Sequence, residues 1–454
     1  MGCHSGPTES DSPRIFWAPG LYKLCGASAN KRSSIRGLFV FVKMHTLSTL
    51  HTISFLYSLS LACPFHDGDA NYILATADNN IFCSAQQSGP LPKTRTAINN
   101  VRVFDGYQLL PATTVVIEGD NIAEVGNSGD ATVHIDGEGG MLLPGFIDAH
   151  AHPSNITHLQ DFSRYGVTTA MVMACFQPQF CQLLKNHTGL VDILAGSLPA
   201  AAPGSIHGNI IAAVDGNGDR LVYNASVAPQ WLNDALSWDP EFVKLVAESP
   251  GLDQQTLNVL TKMSHGRRKR VVCHASSRDA YDQAAIAGVD VIQHSPLDEP
   301  ISARLARRIA SRGQVATPTL AIMRAISDAS PGTRNYTAAE ETVRRLKEAG
   351  VPIITGTDAN LVQGLIAIVP FGISLHEELQ LLVNAGLSPI EALRAATSSA
   401  AKHWGLNDRG VIAPGKRADL VLFSGNPLQN ISNTKTIQRV WLAGVEFSGT
   451  VGTF

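Results

Sequence analysis

MLLPGFIDAHAHP, residues 141–153, decides the fold. An apolar run over 141–149 ends in two histidines, His150 and His152, spaced i and i+2. On a strand that spacing points both imidazoles to the same side. Seven similar runs follow: GVTTAMVMA (166–174), DILAGSLPA (192–200), FVKLVA (242–247), RVVCHAS (270–276), DVIQHSP (290–296), VATPTL (315–320) and PIITGTDA (352–359). They are continuously apolar and rich in β-branched residues, as strands buried on both faces are. Amphipathic stretches lie between several of them, DAYDQAAIAG, ISARLARRIASRG and AAEETVRRLKEAG, each ending in the glycine that stops a helix. Eight β units alternating with helices predict an α/β fold, a closed (β/α)8 barrel. The 192–242 interval is long for one link and predicts a lid over the barrel mouth.

Outward from the barrel, AINNVRVFDG, TTVVIEGDNIAEVG and ATVHIDGEGGMLLPG on one side, with ADLVLFSGNP and TIQRVWLAGVEF on the other, are short β-rich runs broken by turn residues. They predict one small β-sandwich built from both chain ends, 97–143 plus 406–454, around a barrel over 144–405. Residues 1–95 read as an N-terminal extension. From Met44 the segment 44–63 is signal-like: weakly basic, then apolar, then small residues near Ala62. Two readings stand: a secreted protein whose translation starts at Met44, and a cytoplasmic one with an uncleaved extension. Cys175 and Cys181 either pair in an oxidising compartment or are two small buried residues.

Composition narrows the function. Of 454 residues, 44% are hydrophobic and 16% charged, which excludes a disordered chain. A formal charge of −3 carries no basic excess, so no nucleic-acid partner is expected. Seven cysteines in this length are no disulfide scaffold.

The polar residues of the apolar runs stand where their strands end. His150 and His152 close the first, His274 closes RVVCHAS, His294 closes DVIQHSP and Asp358 closes PIITGTDA. C-terminal strand ends form the active-site face of such a barrel, so five metal-capable side chains converge on one mouth. Burying that many polar groups without a ligand would be costly. Lys244, inside FVKLVA, is a lysine on an interior strand. Burial favours its neutral amine. That amine either reacts with carbon dioxide to give a carbamate that bridges two metals, or pairs with Asp358.

The motifs PGFIDAHAHP, FVKLVAESPG, CHASSRDA, DVIQHSPLD, TGTDA and GVIAPGKRADLVLF together resemble the amidohydrolase superfamily of metal-dependent hydrolases, over roughly residues 97–447. The likeness is to its imidazolonepropionase-like branch, which includes zinc-dependent Xaa-Pro dipeptidases and the fungal amidase that cleaves ochratoxin. The resemblance implies two divalent metal ions, zinc by default for this ligand set. His150 and His152 would hold the more buried ion, His274 and His294 the more exposed one, and Lys244, carboxylated by carbon dioxide, would bridge both. Asp358 would bind the first ion and shuttle the proton.

The implied reaction is hydrolysis of an amide C–N bond by metal-activated hydroxide, on N-acyl amino acids or Xaa-Pro dipeptides. The alternatives are a cyclic-amide or lactone hydrolase, and a catalytically inactive scaffold. The small-molecule amide substrate carries a carboxylate, for which Tyr223 and His207 in the lid, Arg324 after the seventh strand and His376 after the eighth are candidate contacts. The Gly-His-Gly pattern of relatives is not plain; SIHGN around His207 is the nearest match. Relatives often form homo-oligomers, and the same is expected here.

Overall fold

The computed structural model describes residues 71–77, 80–86 and 94–454, apart from 112, 128, 216–217 and 363–364. The signal-like segment 44–63 lies outside the described residues. Strands β1 (Asn71–Ala77) and β2 (Asn80–Gln86) form an antiparallel hairpin within the stretch read as an extension. Next come β3 (Arg95–Asn99), β4 (Arg102–Val103), β5 (Val115–Glu118), β6 (Asn121–Val125), β7 (Val133–Asp136) and β8 (Met141–Pro144). The central strands are β9 (Phe146–Ala151), β10 (Val167–Val172), β11 (Asp192–Ala195), β12 (Phe242–Ala247), β13 (Arg270–Ala275), β14 (Val291–Gln293) and β15 (Val315–Thr317). The chain closes with β16 (Leu420–Phe423), β17 (Ile437–Leu442) and β18 (Val445–Glu446).

The opening run is not one strand, as its sequence predicts, but two. β8 pairs antiparallel with β16, Leu420 opposite Pro144, and belongs to the sheet β18-β17-β16-β8-β4. β9 pairs parallel with β10. Pro144 has no N–H to give a ladder. Gly145 takes the chain across, its N–H donating to the carbonyl of Asp419. A side chain there is excluded, because a Cβ would stand 2.3 Å from Thr168. The five-stranded sheet thus draws on both chain ends, and a four-stranded sheet, β6-β5-β3-β7, shares its apolar core. Ile98, Val115, Ile117, Leu142, Leu420 and Trp441 form that core.

The central strands are parallel and form the sheets β11-β10-β9 and β12-β13-β14-β15, in a mixed α/β fold. Isolated parallel bridges connect them: Gly196 with Phe242, Ala200 with Leu245, Ala316 with Ile353 and Ala151 with Ala359. The 352–359 run, read as the eighth strand, is held by such bridges rather than by a continuous ladder. Its backbone turns at Asp358, whose φ is +58°, and Thr357 spends its side chain on Asp148. The 192–242 interval is more regular than its sequence reads. It contains the helices Ile206–Asp215 and Ala228–Ala235.

Alternation explains why these runs are apolar throughout. In β12 and β13, Val243, Leu245, Ala247, Val271, Cys273 and Ala275 belong to the large core that includes the helical Leu257, Leu260 and Tyr281. Phe242 and Val272 face the other way, into a second cluster with Ile147, Met171 and Val291. Lys244 and His274 share the parity of Phe242 and Val272, so they stand on the face turned away from the helices. Cys175 and Cys181 are joined by a disulfide. Among the described residues no helix is long and apolar enough to cross a membrane.

Candidate metal centre

Three of the expected side chains meet around Asp358. His150 Nε2 lies 3.2 Å and His152 Nε2 2.9 Å from its Oδ1, and His294 Nδ1 lies 4.0 Å from its Oδ2. The His294 ring stands between its neighbours, 4.6 Å from His150 and 4.3 Å from His274 between centroids. Lys244 is buried and close enough that its charge acts on His150, His274 and His294. The four histidines and Asp358 therefore lie toward one end of the parallel strands, with Lys244 buried in mid-strand on the same face of β12.

The chain holds these groups by force. His294 and Asp358 both have a left-handed backbone, at φ +74° and +58°, as has Thr319 at +50°. Such a conformation in a non-glycine residue costs on the order of 1–3 kcal/mol and clusters at functional sites. Asp148, fully buried, accepts from the Thr357 hydroxyl at 2.7 Å and from the N–H groups of Thr357 and His150. It thereby fixes the ends of β9 and of the 352–359 run against each other.

Electrostatics suits a cation. Burial pushes the His150 imidazolium down to about 4 and holds His274 and His294 well below their ordinary value. Near neutrality these rings carry free lone pairs. Burial alone would raise the Asp358 carboxyl, but His150 and His152 beside it hold it well below the usual range, so it is ionised. Burial also pushes the Lys244 ammonium down to about 8, with Asp358 opposing. His150, His294 and Asp358 each place a ligand atom within 4.8 Å of the others, a spacing one divalent cation closes. Neutral imidazoles with an anionic oxygen fit such an ion.

Of the four expected substrate contacts, His207 stands beside one of the expected ligands. His207 opens the helix Ile206–Asp215, and its ring lies 4.4 Å from that of His274. Tyr223 is exposed to solvent. Arg324 is paired with Glu377 between the helices Leu320–Asp328 and Ile373–Asn384, so its charge is already answered. His376 does not line the mouth. It is buried, donates from Nε2 to the Tyr165 carbonyl at 2.9 Å, and packs edge-on to Phe146. Phe146 opens β9, about 13 Å of strand from His150.

Sequence reading overlooked the groups that orient the ligands. Gln293, fully buried, accepts from His150 Nδ1 at 2.7 Å, which leaves Nε2 turned to Asp358. Thr319 Oγ1 lies 2.9 Å from His294 Nδ1. Glu248 holds His207 by ring and backbone. A signal existed for two of them. Gln293 is a polar residue inside an apolar run, and Glu248 lies four residues after Lys244, on the same face.

The amidohydrolase family model matches residues 246–446. An uncharacterized protein of Mycobacterium tuberculosis is 26% identical over 326 residues, covering 64% of this chain and 81% of that protein. An adenine deaminase of Bacillus licheniformis is 26% identical over 376 residues, 79% of this chain and 58% of the deaminase. Among solved structures, a Xaa-Pro dipeptidase with bound methionine in the active site superposes with a TM-score of 0.67 at 20% identity, covering 78% of this chain and all of that one. The A. niger ochratoxinase superposes at 0.64 with 17% identity, over 78% of this chain and 96% of that one. At these identities the structures speak for the fold. The resemblance to the amidohydrolase superfamily read in the sequence is borne out.

Proposed function

We propose that this chain, similar to amidohydrolases along most of its length, is a metal-dependent hydrolase of amide C–N bonds. The observation that supports the reading is the meeting of His150, His152 and His294 with Asp358, and of His274 with His294, on the strand face that also carries the buried Lys244. In this reading the two parallel sheets and the bridged 352–359 run are one (β/α)8 barrel over 144–405. The sheets at the chain ends are its β-sandwich, 97–143 plus 406–454. His150, His152 and Asp358 would hold the inner of two zinc ions, and His274 and His294 the outer. Lys244, whose burial favours the neutral amine, would add carbon dioxide with release of a proton, and the resulting carbamate would supply an anionic oxygen ligand.

Bound divalent ions supply Lewis acidity, which depresses the pKa of water and polarises a carbonyl oxygen. The protein's own groups do the rest. Gln293 fixes the His150 ring so that its Nε2 faces inward. Asp358, ionised and set beside two imidazoles, takes one proton from the attacking water as the new C–O bond forms. It then delivers that proton to the amide nitrogen as the C–N bond breaks. Neutral imidazoles do not repel the cations, and the buried floor of apolar strands excludes bulk water.

The substrate class in this reading is N-acyl amino acids or Xaa-Pro dipeptides, in line with the dipeptidase and ochratoxinase likenesses. The adenine deaminase likeness supports hydrolytic deamination as a second reading. A panel of N-acyl amino acids, Xaa-Pro dipeptides, cyclic amides, lactones and aminopurines tests both. Turnover confined to the first two classes is expected. Turnover of aminopurines alone would replace the amide reading with the second one.

A further inference from the structure

One buried carboxyl group stands outside the expected ligand set and still bears on it. Glu378, on the helix Ile373–Asn384, is fully buried. Its Oε2 accepts from the backbone N–H of Ala321 at 2.7 Å, and the N–H of Leu320 also acts on it. These are the first two residues of the helix Leu320–Asp328, so Glu378 satisfies donors that a helix start leaves without an internal partner. The residue in the N-cap position is Thr319, whose carbonyl accepts from the Met323 N–H at 3.1 Å. Thr319 makes no side-chain cap of its own. Its hydroxyl lies instead 2.9 Å from Nδ1 of His294, an expected metal ligand.

Elsewhere in this chain the cap position works in the ordinary way. Asn155, Asp253, Ser277, Ser302 and Ser388 are extended, and the side chain of each accepts from the N–H three residues on. Threonine is among the residues that cap well. In an extended conformation Thr319 could do the same, and the helix would need no carboxyl from 57 positions further along the chain. Here its backbone is left-handed, at φ +50° and ψ +48°, a conformation unfavourable for a β-branched residue. Burying a carboxyl is costly as well. Both costs are explained if the hydroxyl is needed at His294. The His294 N–H also donates to the Thr317 carbonyl at 2.8 Å, so the segment 317–319 holds this ligand by backbone and by side chain.

We infer that Glu378 is a positioning residue for the metal centre: it caps the helix Leu320–Asp328 in place of Thr319 and so leaves the Thr319 hydroxyl to orient the His294 ring. The inference rests on the metal-dependent reading above and keeps its ligand set. Thr319 accepts from Nδ1–H, which leaves the ring's lone pair on Nε2 for a cation. Glu378 itself touches neither metal nor substrate. It acts at one remove, by satisfying the helix start that a left-handed Thr319 leaves open. Glutamine in its place keeps a side-chain oxygen and therefore the cap; methionine keeps the length and loses the strong acceptor.

The test is a double-mutant cycle read by zinc affinity on the full chain. Competition with a chromophoric chelator is followed for the wild type, Thr319→Val, Glu378→Met, Glu378→Gln and the double variant Thr319→Val with Glu378→Met. His294→Asn marks which zinc equivalent belongs to that histidine. Thr319→Val and Glu378→Met are each expected to weaken that equivalent about 10–100-fold, the range for losing a group that orients a metal-bound histidine. Glu378→Gln is expected to restore wild-type affinity. The double variant is expected to bind no more weakly than the weaker single one, because both changes break the same chain of contacts. Wild-type affinity in either folded single variant, or additive losses in the double one, would overturn the inference and leave the metal-dependent reading standing. Should Glu378→Met not fold, hydrogen exchange serves in its place: zinc should slow exchange of the 320–322 amides in the wild type and not in Thr319→Val. Equal slowing in both would overturn the inference. A wild type that binds no zinc would sink both.

Discussion

Replacing Gln293 by leucine tests the idea that orientation, as well as ligand identity, makes the mouth a metal site. Gln293 is fully buried, and its Oε1 accepts from His150 Nδ1 at 2.7 Å. Leucine fills nearly the same volume but accepts nothing. The His150 N–H is then a buried donor without a partner, at a cost of about 1–3 kcal/mol. The ring can recover a partner only by turning, which takes Nε2 away from Asp358. Loss of a group that orients a metal-bound histidine weakens binding roughly 10–100-fold, about 1.4–2.8 kcal/mol, so the two estimates agree. Chelator competition measures the inner-site affinity, and urea unfolding of metal-free protein measures the orphaned donor. Both should fall. Unchanged zinc affinity in a folded Gln293→Leu protein would refute the reasoning, because His150 would then need no support.

Asp358→Asn should reduce turnover roughly 100–10,000-fold with the far-ultraviolet spectrum unchanged, the range expected for losing a general acid–base group. Near-normal kcat would remove Asp358 from the chemistry. Burial pushes the Glu378 carboxyl up to about 8, although the backbone N–H groups of Leu320 and Ala321 pull it down. Between its ordinary value of 4.5 and 8 the folded protein keeps a proton that the unfolded chain has lost. Stability must therefore fall as pH rises through that window, by about 5 kcal/mol at most. The difference between wild-type and Glu378→Gln unfolding curves from pH 5 to 8.5 should show that fall, and parallel curves would contradict it. Gly356→Ala would set a Cβ 2.5 Å from Thr317 Cγ2 and 2.9 Å from His150 Cβ. It should destabilise by about 1–3 kcal/mol and loosen zinc at the His150 site, read by denaturant midpoint and chelator competition. A wild-type midpoint would show that the strands can part freely there.

Much of this was legible in the residues because periodicity and burial speak the same language. FVKLVA reads as a strand covered on both faces, and its six residues are the six of β12. HAH at a strand end reads as two rings on one side, and both rings meet Asp358. The division at Pro144–Gly145 was harder to see, since one apolar run serves two sheets and only tertiary packing against Thr168 marks the crossing. The 352–359 run was read as a plain strand because a left-handed aspartate leaves no trace in composition. Arg324 and His376 were placed at the mouth by their position after strands. Side-chain direction, which sequence order does not encode, sends one to Glu377 and the other under Phe146. The supporting contacts of Gln293, Thr319 and Glu248 cross 25 to 143 positions of chain, so no local pattern reveals them.

The central claim is that divalent cations at this mouth activate water for amide hydrolysis. The most direct measurement is zinc content together with hydrolysis of N-acyl amino acids, followed through removal of metal by a chelator and its return. The account predicts two zinc equivalents per chain, activity lost as they leave and regained as they are restored. A protein that hydrolyses these amides equally well when stripped of metal would contradict it.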